Sequence, residues 1–341
     1  MPYLLLVTLL VLLPSPAKGD EAYKLVESAK IIFAPLPEKP VLKPDVQYSE
    51  AKVTLGKMLF FDTRLSKSNT ISCNSCHNLA LGGADNNSVS IGHKWQKGGR
   101  NAPTVLNSSF HIAQFWDGRA KDVEEQAEGP ILNPAEMGAT EELVLERLSS
   151  IPEYVELFKK AFPAESQPLT YKNVANAIGA FERTLVTPSR FDDFLKGDTS
   201  ALTEKEKDGL ALFMEKRCSI CHNGMLVGGG AFMRFGIMRN PWKLKDRGRI
   251  EVTGRDNDLF TFKVPSLRNV ALTYPYFHNG SVWNLDQAVK IMGWVQLGKR
   301  ITTGEAQSIV MFLKSLTGRP LKIELPVLPP STASTPRPES D

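Results

Sequence analysis

The feature that most constrains this chain is a five-residue motif that occurs twice. All four cysteines fall in it: Cys73-Asn74-Ser75-Cys76-His77 and Cys218-Ser219-Ile220-Cys221-His222. C-x-x-C-H is the attachment pattern of c-type haem. Two thiols add across the porphyrin vinyl groups, and the adjacent histidine lies under the iron as an axial ligand. Two other readings of C-x-x-C compete. A redox dithiol sits in a βαβ context, which neither motif has. One zinc site built from four thiolates would leave the histidine after each pair as coincidence. Two covalent haems account for all four cysteines and both adjacent histidines, and no thiol is left for a disulfide.

The repetition extends beyond the motifs. Gly56-Lys57-Met58-Leu59-Phe60 and Gly209-Leu210-Ala211-Leu212-Phe213 precede the two sites, and Asn78 and Asn223 follow them. Ala102-Pro103-Thr104-Val105-Leu106-Asn107 parallels Val264-Pro265-Ser266-Leu267-Arg268-Asn269. Phe115-Trp116-Asp117-Gly118 parallels Phe277-His278-Asn279-Gly280, and Ile178, Phe181 and Leu185 parallel Ile309, Phe312 and Leu316. A duplicated sequence implies a duplicated architecture. The expected fold is mainly α, with two tandem c-type cytochrome-like domains, one haem site in each.

Apolar residues recur at helical spacing in Val174–Leu185 and in Ile309–Leu316, and Thr203-x-x-Glu206 is a capping box. Strands are scarce; Glu251–Thr253 and Phe260–Phe262 are the expected short pair. Leu4–Leu13 is an apolar run too short to span a bilayer, followed by Ala17-Lys18-Gly19. It reads as a secretory signal peptide, with a buried N-terminal helix or membrane anchor as the alternatives. The expected organisation is therefore a signal peptide at 1–19, a first domain at 20–186 and a second at 187–325. Residues 187–198 are the expected linker, and 326–341 a Pro/Ser/Thr-rich disordered tail. No later segment is long and apolar enough to span a membrane, so an exported, periplasmic protein is expected. A formal charge of +4, or +3 after loss of Lys18, is too small to argue for nucleic acid.

Each motif supplies one iron ligand, so the opposite ligand decides the chemistry. Three histidines remain. His93 follows the small, polar stretch Gly82–Ser88, expected to be a mobile loop, so it is a candidate ligand that can leave. His278 stands where the first half has Trp116, and His111 reads as a surface residue. Met292 lies on the stripe Leu285, Ala288, Val289, Met292; Met214, Met225, Met233 and Met238 compete with it as thioether ligands. Glu128 and Glu136 are the acid–base candidates near the first haem.

These motifs, with Leu59-Phe60-Phe61-Asp62, Ser90-Ile91-Gly92-His93, Arg100-Asn101-Ala102-Pro103-Thr104, Phe115-Trp116-Asp117-Gly118-Arg119 and Pro275-Tyr276-Phe277-His278-Asn279-Gly280, resemble those of the bacterial di-haem cytochrome c peroxidases, relatives of the MauG proteins. The resemblance covers residues 49–318. It implies that the first haem, on Cys73, Cys76 and His77, is the low-potential peroxidatic site. His93 would be its displaceable distal ligand, Glu136 its acid–base group, and Gln126 part of its pocket. The second haem, on Cys218, Cys221 and His222, would accept electrons at high potential with Met292 as distal ligand. Trp116 would lie on the path between the haems. A calcium ion would use the Asn101 side chain and the carbonyls of Thr273 and Pro275. The family's usual state is a homodimer that takes electrons from a small cytochrome c or cupredoxin and reduces hydrogen peroxide. MauG-like enzymes carry Tyr at the position of Met292 and lack the loop histidine, so the resemblance favours the peroxidases. A two-haem electron relay and a peroxide sensor are the remaining rivals.

Overall fold

A short polar residue ahead of an apolar stripe starts most of the helices. Ser49, Thr140, Thr170, Thr203, Asn284 and Thr302 each accept a backbone N–H with the side chain at a helix N-terminus. The computed structural model describes residues 18–38, 48–240 and 244–339. The expected signal peptide lies almost wholly outside them. The helices in chain order are α1 (Lys18–Ile32), α2 (Glu50–Phe61), α3 (Cys73–Cys76), α4 (Val123–Leu132), α5 (Glu141–Ser149), α6 (Pro152–Ala161), α7 (Tyr171–Glu182), α8 (Arg190–Leu195), α9 (Glu204–Glu215), α10 (Ile250–Thr253), α11 (Leu285–Leu297) and α12 (Thr303–Ser315). The mainly helical expectation holds, and no described helix is long and apolar enough to cross a membrane.

Two hydrophobic cores form. The first gathers Leu59, Phe60, Val144, Tyr154, Val174 and Phe181 from α2 and α5–α7. The second gathers Phe191, Phe194, Leu210, Phe213, Ile309 and Phe312 from α8, α9 and α12. Each centres on one tight helix crossing, and both crossings depend on a glycine. A Cβ on Gly56 of α2 would lie 1.7 Å from the Ala177 carbonyl oxygen on α7. A Cβ on Gly209 of α9 would lie 2.1 Å from the Ser308 oxygen on α12. Those residues occupy corresponding places in the two repeats. The duplication also persists in backbone geometry: Asn107 and Asn269 have φ of 60° and 61°, and Phe115 and Phe277 of 64° and 74°. The two asparagines converge on one atom, donating to the Thr187 hydroxyl at 2.8 Å and 3.0 Å.

Three expectations are corrected. Residues 187–198 are not an open linker. They contain α8, whose Phe191 and Phe194 are fully buried, and whose Asp192 takes a bidentate pair from Arg268 at 2.6 Å and 2.8 Å. The charged residues of Arg190–Leu195 mask a short apolar face at Phe191, Phe194 and Leu195. The strand pair is β1 (Phe232–Arg234) antiparallel to β2 (Thr261–Lys263), with Met233 opposite Phe262. Residues 250–253 instead form α10, closed by Gly254 in the left-handed region at φ 67°.

The segment after Pro326 is ordered up to Glu339 and lies on the first core. Arg64 donates to the Pro329 carbonyl at 2.8 Å, Arg147 to the Arg337 carbonyl at 3.1 Å, and the Ser150 and Thr335 hydroxyls are 2.8 Å apart. Its polar composition is satisfied by buried arginines rather than by water. The termini therefore cross. In α1, Val26 and Ala29 pack into the second core along with Phe33 just beyond it, while Leu321 and Ile323 pack on the first.

Candidate functional site

The first C-x-x-C-H begins in α3, a single turn whose N-terminus is a reciprocal cap between Ser72 and Ser75. Its histidine follows the last helical residue. His77 Nδ1 lies 3.1 Å from the Pro103 carbonyl oxygen. A carbonyl can only accept, so the ring proton sits on Nδ1 and the Nε2 lone pair is left for a metal. Burial lowers the pKa of His77, which also keeps that lone pair available. Burial pushes all four thiols up, Cys76 and Cys218 to about 11. Such thiols are poor thiolates, which disfavours the redox-dithiol reading.

The second motif lines an apolar cavity. Cys218, Cys221, His222 and Met292 all face it, with Phe213, Leu285, Ala288 and Val289 as apolar wall. Of the competing methionines only Met233 also lines it. Gly228, at φ 131°, lets backbone pass behind the histidine: a Cβ there would sit 2.2 Å from the Pro265 oxygen and 3.2 Å from His222 Nδ1. The donor set and the apolar space fit a haem, with His222 and Met292 as its two axial candidates. Among the described residues no group of three or more His, Cys, Asp and Glu is arranged to hold a metal ion by itself.

The loop after the first motif brings two predicted residues together. The His93 backbone N–H donates to the Glu136 carbonyl at 2.7 Å. His93 is 5% exposed, and its Nδ1 is buried without a partner. A Cβ on Gly138 would meet the ring at 3.1 Å. The next two residues, Lys94 and Trp95, both have positive φ, 56° and 61°, so a strained turn presents the histidine. Glu136 Oε1 accepts from Asn133 Nδ2 at 2.8 Å. Burial raises its pKa, while Arg119 and Asn133 oppose the rise. Gln126 lies on α4, partly buried. Glu128 is committed elsewhere, in an ion pair with Lys172 at 2.5 Å. The Gly82–Ser88 stretch is anchored: Thr104 donates to the Gly82 carbonyl at 2.7 Å and Asn101 to the Asn87 carbonyl at 2.8 Å.

Residues 101–104 are shared by the two sites. Pro103 holds His77 through its carbonyl, while Asn101, Ala102, Pro103 and Thr104 also line the second cavity. Trp116 Nε1 donates to the Asn101 carbonyl at 2.8 Å, and its ring meets His278 edge-on at 6.3 Å. His278 is buried and stacks on Phe262 at 4.3 Å. The calcium candidates Asn101, Thr273 and Pro275 line this same wall. Arg100 joins the halves by pairing with Asp117 at 2.5 Å and Asp246 at 2.7 Å.

His111 is half-buried, with its Nε2 shielded from solvent, rather than a free surface residue. It lines the second cavity with Nδ1 2.8 Å from Lys263 Nζ. Neither it nor Lys263 was marked by a motif, because their burial comes from the other half of the chain. Arg119, stacked 3.4 Å above the Phe115 ring and acting on Glu136, was visible only as the residue after Trp116-Asp117-Gly118.

Comparison with known proteins finds relatives over nearly the whole chain. A family model described as di-haem cytochrome c peroxidase matches residues 50–200. The cytochrome c551 peroxidase of Pseudomonas aeruginosa is 51% identical over 93% of each chain, and that of Nitrosomonas europaea 51% identical over 91% of this chain and 92% of its own. A solved MauG-like protein associated with microbial copper homeostasis is 30% identical, with a TM-score of 0.74 over 83% of this chain and 95% of its own. The di-haem peroxidase BthA of Burkholderia thailandensis, at 20% identity and a TM-score of 0.68, shares the fold. With two C-x-x-C-H motifs in a duplicated helical fold and relatives at this identity over nearly the whole chain, the protein belongs to the di-haem cytochrome c peroxidase family and is a peroxidase of the oxidoreductase class.

Proposed function

We propose that the chain reduces hydrogen peroxide to water, H2O2 + 2e⁻ + 2H⁺ → 2H2O, with electrons from a small periplasmic cytochrome c or cupredoxin. The observation that carries this reading is the junction of His93 and Glu136, a buried loop histidine bonded through its backbone to the turn that bears a half-buried carboxyl. A relay needs neither group. When bound, two haems supply the redox chemistry, one taking electrons singly and the other delivering two of them to peroxide. Cys73, Cys76, Cys218 and Cys221 would hold them by thioether bonds, and His77 and His222 would each offer an imidazole nitrogen to an iron.

His93 is the displaceable ligand of the first site and Met292 the fixed thioether of the second, which raises the potential there. The strained Lys94–Trp95 turn lowers the cost of moving His93, and the bond to Glu136 makes that movement felt at the acid–base group. Glu136 Oε1 is held by Asn133, so Oε2 takes the proton from one peroxide oxygen and returns it to the other. Gln126 borders the pocket, and Trp116 carries electrons across the shared wall. Asn101, Thr273 and Pro275 bind a calcium ion that sets this wall, and the working state is a periplasmic homodimer.

The test is turnover of Glu136→Gln with reduced cytochrome c and peroxide. We expect two haems per chain, an unchanged resting spectrum and a loss of about 100-fold or more in kcat. Near wild-type turnover would remove Glu136 from the mechanism.

A further inference from the structure

The proposed mechanism makes no use of a buried cation of the second cavity. Among the described residues the charged side chains lining that cavity are Lys263 and Arg217, with no Asp or Glu. Arg217 is exposed, whereas Lys263 is 4% exposed. Its Nζ donates to the Ala113 carbonyl at 2.8 Å and lies 2.8 Å from His111 Nδ1. An ammonium has three N–H groups, and these two contacts use two of them. Facing an ammonium, Nδ1 is the lone-pair side of the imidazole, so the ring proton is on Nε2. That atom is buried and has no partner. One ammonium N–H and one imidazole N–H, contributed by opposite halves of the chain, are therefore unspent at the wall of an apolar cavity.

The carboxylate that acts on Lys263 does not complete the pair. Asp117 acts on Lys263 only at a distance and is itself taken by Arg100 at 2.5 Å and Arg119 at 3.1 Å. Burial pushes Lys263 down to about 7 and holds His111 well below its ordinary range. A buried cation with no counter-charge is costly, and two convergent donors match a carboxylate.

We propose that Lys263 and His111 form a receptor for a carboxylate of the group seated in the second cavity, a haem propionate. The proposal rests on the reading that Cys218 and Cys221 hold a haem. Lys263 is then a positioning residue with an electrostatic consequence: a fixed cation beside the haem favours its reduced form and raises its potential. It also ties the haem to Ala113 and His111 of the first half.

The test uses the purified holoenzyme, K263M, K263R and H111F. Haem per chain is counted by pyridine haemochrome. The propionate bending band is read by resonance Raman, and both midpoint potentials by spectroelectrochemistry. We expect K263M to shift the propionate band and lower the potential of the second haem, leaving the first haem unchanged, and K263R to restore both readings. An unchanged band in K263M, or equal disturbance in K263M and K263R, overturns the receptor while two haems per chain remain. A wild-type protein lacking the second haem overturns the receptor together with the reading beneath it. If K263M does not accumulate, H111F decides the question. Loss of the imidazole donor should shift the same band, and no shift overturns the proposal.

Discussion

Glu182, at the last turn of α7, is 5% exposed, and burial pushes its carboxyl up to about 8. Glu124 adds to the rise. Arg183 opposes it, but Arg183 is committed to Glu124 in a bidentate pair at 2.7 Å and 2.8 Å. Because the folded state holds this proton more tightly than the unfolded chain, the group supports folding below pH ~4.5, and that support is lost as pH rises towards 8. Glu182→Gln, which mimics the protonated side chain, should match wild type near pH 5. At pH 9 it should be more stable by up to about 5 kcal/mol. Thermal melts at the two pH values check this, and a variant less stable at pH 9 would overturn it. At this scale the sequence was uneven. Covalent chemistry fixes the spacing of Cys73, Cys76 and His77, so those residues were legible. His93 and Glu136 stood only among open candidates until the family resemblance singled them out, since no local pattern distinguishes a distal group from a solvated one. Lys263 was invisible, because a lysine at a strand end reads as exposed until residues 111–113 cover it.

Helix crossings are the next scale, and the two that build the cores share one device. A methyl on Gly56 cannot be accommodated by a side-chain rotation, because the atom it meets is the Ala177 backbone oxygen at 1.7 Å. Gly56→Ala should therefore cost about 3 kcal/mol, the upper end for overpacking, by forcing α2 away from α7. Gly209→Ala should do the same between α9 and α12. Gly304 of α12 has no atom within 4 Å of its missing Cβ, so Gly304→Ala should gain up to about 1 kcal/mol through helix propensity. Urea midpoints of the three variants test this, and equal midpoints would show that the crossings yield without strain. The long helices were legible because each buries one stripe at helical period. α8 was not, because six residues hold barely two turns and half of them are charged. The β1–β2 pair was misplaced because each strand is three residues long and Phe262 of β2 pairs with Met233, across a long intervening loop.

Over the whole molecule, duplication predicts two units side by side, but the termini make them interdependent. α1 supplies Val26 and Ala29 to the second core, and the chain beyond α12 returns to the first. Neither crossing could be read from the repeat, because both lie outside it. Composition argued for disorder in the tail, whereas the tail's backbone carbonyls serve arginines that the first core buries. Arg147 is 1% exposed and gives its N–H groups to the carbonyls of Arg64, Ser66, Lys67 and Arg337. Arg64 reaches Pro329 and Ser331, and Lys67 pairs with Glu339 at 3.0 Å. Deleting residues 326–341 withdraws the acceptors from two buried guanidinium groups, which water then replaces only in part. The expected cost is about 2 kcal/mol, or a fall in Tm of about 4–8 °C for a domain of the first core's size. The contacts lie on α5 and the turn after α2, and none is made to a residue of either cysteine motif; Lys67, which the tail contacts, also donates its N–H to the Met137 carbonyl at 2.9 Å. Haem content, the resting spectrum and peroxide turnover below the melting transition should thus be unchanged. Differential scanning calorimetry with a turnover assay separates the outcomes. An unchanged Tm would mean that the arginine contacts add nothing to stability, and a lost turnover at unchanged Tm would place the tail in function instead.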